Sequence, residues 1–411
     1  MAIIGQIGNT STQAQGGVGL AAGLIATLIW GLAQMRTAIS AIVSRQFGKN
    51  DLPPIISLIP QTLMLGAILS VMVAVGIAFN YEMIAYYLYG QMSELTLYYS
   101  NQYYVIRSVG LPLSLLIALF FGVFRGYQNM SWAMYISLIG GLLNIVLDLI
   151  LVLGIEGYIP AYGVSGAAWA SVSAQAVMFV LCIYVLYKNT PFNLKLEVDR
   201  NPFFNEMLLI FMNMFVRTIV LNIVFILANR FANKNGDIQL AAYTIGYNIW
   251  IFSSFFIDGF ANAGNALAGK YLGAKDGTTL KVLGSKLLKI NLGIASGLSL
   301  VYLVLSPVIA TYFNNDEAVI TAFNATFWII VLAQPLNSIA FTFDGIFKGM
   351  GEAKYLRNTL LIASFLIFIP VLLGLDYLDQ GIMAIWYALL GWMLFRGCSL
   401  WWRFGRLVKE I

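Results

Sequence analysis

Residues 142–154 read LLNIVLDLILVLG, an apolar stretch that carries two polar side chains, Asn144 and Asp148. All the remaining residues from Leu142 to Leu153 are Leu, Ile or Val. Such a run is typical of a helix in a lipid bilayer, which needs about 20 mostly apolar residues. Holding a carboxylate there costs roughly 2.5–3.5 kcal/mol at the membrane centre. The stretch therefore predicts a membrane helix and raises the question of what Asp148 does.

The composition of the whole chain extends this prediction. Of 411 residues, 60% are hydrophobic and 10% are charged, and the mean hydropathy is +0.81. Soluble domains carry about 25% charged residues, so a soluble globular protein is excluded. Histidine is absent, and the two cysteines, Cys182 and Cys398, lie in separate apolar segments. We therefore expect no enzyme, no resident metal, no cofactor and no nucleic-acid partner.

Apolar runs bounded by polar, glycine or proline residues predict eleven complete membrane spans. They lie near residues 17–45, 57–80, 96–124, 131–153, 163–187, 206–230, 239–269, 283–312, 318–347, 356–374 and 381–402.

The charges of the connecting loops predict the orientation of these spans. Loops on one side, together with the C-terminal Arg396, Arg403, Arg406 and Lys409, hold eighteen basic residues. The opposite loops hold only two, Arg230 and Lys234. Because basic loops stay in the cytoplasm, we expect the C-terminus there and the chain in the cell inner (plasma) membrane.

The sequence also contains an internal repeat of about 223 residues. GLAA at 19–22 matches QLAA at 239–242, AIVSRQFGKND at 41–51 matches ALAGKYLGAKD at 266–276, and FRG at 124–126 matches FKG at 347–349. The second match aligns Gly48 with Gly273. Fewer residues precede the first match in the first half than in the second half. The first half is therefore expected to lack most of one helix.

These observations predict an all-α polytopic membrane protein with two six-helix lobes. An N-lobe at 1–187 comprises a partial helix 1 and helices 2–6, a cytoplasmic linker follows at 188–205, and a C-lobe at 206–411 comprises helices 7–12. Repeats of this kind recur in transporters.

Six ionisable residues remain inside the predicted spans, where charged groups are costly and mark functional sites. They are Asp148, Asp258, Asp344, Arg36, Arg107 and Arg217. For Arg217, Asp258 and Asp344 two interpretations stay open: a structural ion pair or triad in the C-lobe, or a gate or coupling role.

Asp148 differs because it has no counterpart in the repeat and no basic residue on its own helix. Asn144 lies one turn earlier on the same face. The pair could share a proton or Na⁺ and release it near physiological pH, as a cation-coupled carrier requires. The alternative is a neutral carboxyl that bonds a neighbouring helix.

Several motifs, taken in order, resemble the MATE (multidrug and toxic compound extrusion) family, and most of all its prokaryotic DNA-damage-inducible protein F branch. They are FRGYQN, LLNIVLDLILVLG followed by GVSGAAWASVSAQ, LAAYTIGYNIW, FIDGFANAGNALAGKYLGAKD and FKGMGEAKY.

The resemblance implies an H⁺- or Na⁺-coupled antiporter that exports organic, often cationic and amphipathic compounds by alternating access. It implies a coupling-ion site at Asp148 and Asn144, with Ser171 as a further oxygen ligand. It also implies a second acid on the first helix, at a position that falls before Met1. We expect a monomer whose partners are its small-molecule substrates and the bilayer.

A flippase for a lipid-linked or amphipathic substrate is the alternative function. It requires a cationic cavity, for which Arg36, Arg107 and Arg217 are the candidates; pairing of these arginines with acids would weaken it.

Overall fold

A computed structural model of the chain describes Ile4, residues 11–197 and residues 199–411. Eleven of its helical segments are long and apolar enough to cross a membrane, which confirms the number of predicted spans. Within the described residues the only β-type pairing is an isolated bridge between Ile155 and Ile159. The all-α fold class is therefore confirmed. The predicted partial first helix falls mostly on residues outside the described part.

The helices of the first half are α1 (Ser11–Leu32), α2 (Met35–Gly48), α3 (Leu58–Phe79), α4 (Tyr81–Tyr89), α5 (Glu94–Gly126), α6 (Ser131–Leu153) and α7 (Gly163–Asn189). Those of the second half are α8 (Phe204–Lys234), α9 (Asp237–Gly273), α10 (Gly277–Phe313), α11 (Glu317–Met350), α12 (Ala353–Ile362), α13 (Ile369–Tyr377) and α14 (Ile382–Glu410).

Two details differ from the sequence-based spans. The first span is interrupted between α1 and α2, at Ala33 and Gln34, rather than continuous. In addition, the loop after residue 80 contains α4, which was not predicted. Its first residue, Tyr81, is buried, stacks on Tyr104 with ring centroids 4.7 Å apart and hydrogen-bonds Ser100. Burial of this aromatic side chain holds α4 in place. A short loop flanked by polar residues gives no sequence signal of such burial.

The chain divides into two compact units. The first comprises Met1–Val43 and Leu52–Leu208, and the second comprises Ser44–Asp51 and Leu209–Ile411. The predicted lobes and linker stay a prediction, and Ser44–Asp51 is one segment of the predicted N-lobe that belongs to the second unit.

Asn201 fixes the segment between α7 and α8 within the first unit. Its side-chain amide donates to the carbonyl oxygen of Pro54 at 2.8 Å and to the Ser57 hydroxyl at 2.9 Å. Its own backbone N–H donates to the Gln61 side chain at 3.1 Å. This part of the predicted linker is therefore bonded to the start of α3.

In the second unit, Gly48 and Gly273, which the repeat aligns, each pack against the helix that carries the other. A Cβ on Gly48 would overlap the carbonyl oxygen of Lys270, and a Cβ on Gly273 would overlap that of Arg45. The contact is reciprocal, because the alignment of Gly48 with Gly273 also relates Arg45 to Lys270. Small residues allow such close approach of membrane helices, where no side chain separates the backbones.

A π-helical segment at 363–368 joins α12 to α13. Within it, the Ser364 hydroxyl accepts a hydrogen bond from the Trp392 indole N–H at 3.0 Å. A π-helical turn interrupts the regular α-helical hydrogen bonding and marks a local irregularity with an identifiable cause. Here the buried indole of Trp392 on α14 bonds a side chain within that turn.

Candidate functional site

One row of α6 carries the predicted coupling-ion residues. Gly140, Asn144, Asp148 and Val152 follow one another at intervals of four, so they share a face of the helix. Gly140 and Val152, at the ends of the row, are buried, while the two polar residues are half-buried. A Cβ on Gly140 would overlap the Met178 side chain of α7. The row therefore faces α7.

The structure joins two of the three residues predicted for this site, Asn144 and Ser171. The Asn144 amide donates to the Ser171 hydroxyl on α7 at 3.3 Å. Asp148 lies one turn further along α6. Its Oδ1 atom is shielded from solvent and has no hydrogen-bond partner among the described residues. A carboxylate oxygen that is shielded from water and has no hydrogen-bond partner can bind a proton or a small cation.

Arg107 of α5, one of the six ionisable residues found inside the predicted spans, adds a cation that the sequence did not place at this site. It donates to the Gln175 side chain at 2.9 Å, and Gln175 lies one turn from Ser171 on α7. Arg107 is close enough to act electrostatically on Asp148. α6 itself carries no basic residue, as expected from its sequence. Arg107 comes from α5, so its position near Asp148 depends on how the helices pack.

A second polar cluster lies in the second unit around Asp344 of α11. Its carboxylate contacts Arg217 of α8 at 2.5 Å and Lys348 at 2.6 Å, and Arg396 of α14 is 3.6 Å away. Arg217, Asp344 and Arg396 are at most 7% exposed at their side chains, and Lys348 is 21% exposed. The predicted pairing of Arg217 with Asp344 is present.

The membership of this cluster differs from the prediction in two respects. Asp258 is not part of it among the described residues; its carboxylate instead accepts a hydrogen bond from Asn262, one turn on, at 3.0 Å. Arg396, counted among the cytoplasmic charges, is buried and stacks over Trp392 at 4.4 Å. When Arg396 and Lys348 are left out of the count, the predicted cytoplasmic side still carries far more basic residues than the opposite side.

The pairing of Arg217 weakens the flippase alternative, because this arginine cannot offer a free charge to an anionic headgroup while it is bonded to Asp344. Arg107 is likewise engaged with Gln175. The helical architecture defines a multi-pass membrane protein with polar clusters among its apolar helices, an arrangement that recurs in secondary transporters.

The chain belongs to the MatE family. The MatE family model matches residues 1–150 and 214–373, which is more than half of the sequence. Members of this family are secondary transporters rather than enzymes, in agreement with the prediction that the chain is not an enzyme. The resemblance to the MATE family is confirmed.

Curated relatives match along most of the chain. Protein DETOXIFICATION 42 of Arabidopsis thaliana is 27% identical over 308 residues, which is 74% of this chain and 58% of that protein. DNA damage-inducible protein F of Escherichia coli (strain K12) is 27% identical over 316 residues, 75% of this chain and 66% of that protein. The chain thus spans about three fifths of the length of the plant relative.

Solved structures share the fold. VcmN, a MATE transporter of Vibrio cholerae solved in its bent form, superposes with a TM-score of 0.89 at 17% sequence identity. The match covers 100% of this chain and 91% of that one.

Proposed function

We propose that this protein is a cation-coupled antiporter that exports organic, often cationic and amphipathic, compounds by alternating access. H⁺ or Na⁺ drives it, and Asp148, Asn144 and Ser171 form the coupling-ion site. Membership of the MatE family and the detoxification role named for a plant relative support the transport class. The matches do not favour the flippase alternative.

The observation that carries the site is the Asp148 carboxylate, which has an oxygen without a hydrogen-bond partner in the described part of the chain and lies one turn from an amide–hydroxyl pair. A proton would bind that oxygen directly. Na⁺ would take the carboxylate together with the amide or hydroxyl oxygens of Asn144 and Ser171, which are the oxygen ligands that hard cations prefer. Arg107 would favour return of the carboxylate to its charged form after the ion leaves.

The test measures uptake of ethidium into everted membrane vesicles under an imposed proton gradient, and separately under a Na⁺ gradient, because export from a cell corresponds to uptake into an everted vesicle. Asp148→Asn keeps the volume and hydrogen-bonding capacity of the side chain but removes its charge. We expect gradient-driven transport to fall to the level of vesicles without the protein, while the thermal stability of the purified variant stays close to that of the parent.

Asp258→Asn is the matched comparison, because it alters the other half-buried acid that lies one turn from an asparagine. Wild-type transport by Asp148→Asn together with loss in Asp258→Asn would show that the site assignment is wrong. Absence of ethidium transport by the parent protein under both gradients would contradict export of organic cations.

The proposal also includes a monomer in the inner (plasma) membrane with a cytoplasmic C-terminus. Labelling of a single cysteine introduced at Glu410, in a variant without Cys182 and Cys398, tests the orientation. A membrane-impermeant maleimide should reach it in everted vesicles and not in intact cells.

A further inference from the structure

A groove in the second unit lies between the start of α10 and the end of α14. Its volume is about 490 Å³. Lys281 and Ser285 line it from α10, and Trp401, Phe404, Gly405 and Lys409 line it from α14. Within the described chain, no feature of the proposed transport site uses this groove.

Glycines shape the groove. A Cβ on Gly284 would lie 2.6 Å from the Phe404 ring, so this position holds α10 and α14 in close contact. At Gly405, by contrast, nothing lies within 4 Å of where a Cβ would be. The missing side chain at Gly405 therefore leaves an open space beside a tightly packed crossing, and this space is the groove.

Two lysines give the groove its charge. Lys281 and Lys409 are exposed, and neither forms an ion pair among the described residues. Two acids lie near them in sequence but are engaged elsewhere. Asp276 accepts the Thr279 backbone N–H at 2.8 Å, and Glu410 lies 3.8 Å from Arg403.

The charge of Asp276 determines whether the start of α10 can attract an anion. The hydrogen bonds from Thr279 hold the pKa of the Asp276 carboxyl below its usual range, and the group is charged at neutral pH. Its negative charge offsets the positive end of α10. The attraction for an anion therefore comes from the ammonium groups of Lys281 and Lys409.

Most of the remaining lining is apolar, with Thr278 and Ser285 as the polar exceptions, and the groove lies at the end of a membrane helix. Phe404 forms a wall, and Trp401 and its neighbour Trp402 are 54% and 56% exposed. Exposed indoles concentrate where helices pass from hydrocarbon to headgroups. Leu288 lines the groove on the membrane side of the lysines along α10. An occupant thus meets two ammonium groups at one end and apolar side chains at the other.

We propose that this groove binds an anionic phospholipid from the leaflet that the C-terminal end of α14 reaches. The lipid phosphate lies between Lys281 and Lys409, and the start of an acyl chain lies against Phe404 and Leu288. Basic pockets between membrane helices bind anionic headgroups in this way. The site is separate from the proposed coupling-ion site and does not depend on the transported compound.

The test measures binding of phosphatidylglycerol and phosphatidylcholine to the purified full chain by native mass spectrometry and by lipid-dependent thermal stabilisation. We expect the parent protein to bind phosphatidylglycerol about tenfold more tightly than phosphatidylcholine, since each nearby lysine favours an anionic surface. Equal binding of the two lipids would overturn the proposal. Equal stabilisation by glycerol phosphate, which has no acyl chain, would also overturn it by showing a site for soluble anions.

Two variants change the groove by different means. Lys281→Gln with Lys409→Gln removes both charges, and Gly405→Leu fills the space without changing any charge. Each should reduce the preference for phosphatidylglycerol at least fivefold, while stability without lipid stays near that of the parent.

The matched controls are Lys286→Gln with Lys289→Gln, which removes two exposed charges of α10 outside the groove, and Gly297→Leu, which adds a side chain at an open position of the same helix. Both controls should stay within twofold of the parent. A loss of preference in the lysine control as large as in the groove variants would contradict a specific site.

Discussion

Replacing Asp344 by Asn removes the one negative charge that Arg217, Lys348 and Arg396 share. Unit charges about 4 Å apart attract by about 4 kcal/mol at an effective dielectric constant near 20, before the cost of desolvation is subtracted. Removing one partner of a buried pair destabilises a protein by about 3–5 kcal/mol, since an uncompensated charge is left behind. We expect Asp344→Asn to lower the free energy of unfolding by that amount.

The cluster holds three cations and one acid, and this imbalance makes the prediction specific. Lys348 is partly exposed, so Lys348→Gln should cost only about 1 kcal/mol or less. Adding Arg396→Gln to Asp344→Asn should restore part of the lost stability, because it removes one of the two buried guanidinium groups left without a counter-charge.

Titration with sodium dodecyl sulfate in mixed micelles measures the free energy of unfolding of each variant. The reasoning is refuted if Asp344→Asn costs no more than Lys348→Gln, or if the double variant is less stable than Asp344→Asn alone. Ethidium transport by the double variant then separates the two roles of the cluster. Retained transport indicates a structural ion cluster, and lost transport in a stable variant indicates a gate.

Three further changes test the packing and the site. Ser171→Ala leaves the Asn144 amide without its acceptor and should weaken the apparent affinity for the coupling ion about fivefold, measured from the ion dependence of transport, whereas Ser171→Thr should not. Gly166→Leu would overlap the carbonyl oxygen of Leu151 and should lower the unfolding free energy by about 1–3 kcal/mol in mixed micelles; an unchanged value would contradict the close α6–α7 contact. Asn201→Ala removes three side-chain hydrogen bonds, to Pro54, Ser57 and the Phe203 backbone N–H, and should cost about 1–3 kcal/mol, with faster trypsin cleavage between α7 and α8 as a second readout.

The candidate coupling-ion site could be predicted largely from local spacing. Asn144 and Asp148 lie on one helix, where an interval of four residues fixes a shared face. Ser171 came from the resemblance to the family, and the structure bonds it to Asn144. Arg107 could not be placed in the same way, because its approach to Asp148 depends on how α5 packs beside α6 and α7.

The cluster around Asp344 shows the same limit. Lys348 lies four residues after Asp344 on α11, but Arg217 comes from α8 and Arg396 from α14, and no spacing along the chain relates these two arginines to Asp344. Arg396 lies close to a basic C-terminal segment, so its sequence position indicated a cytoplasmic charge. Burial against Trp392 and Asp344 is a property of the helix packing. Asp258, which the sequence grouped with this cluster, bonds only its local neighbour Asn262 among the described residues.

The sequence by itself determined the eleven membrane helices and the repeat, because the bilayer demands long apolar runs and because duplicated segments keep their order. It also indicated which ionisable groups lie within the membrane. Only the tertiary structure decided which of those groups meet and where space remains between helices. Those contacts join residues distant in the chain, such as Arg217 and Asp344, and depend on small residues such as Gly48 and Gly273 that set how closely two backbones approach.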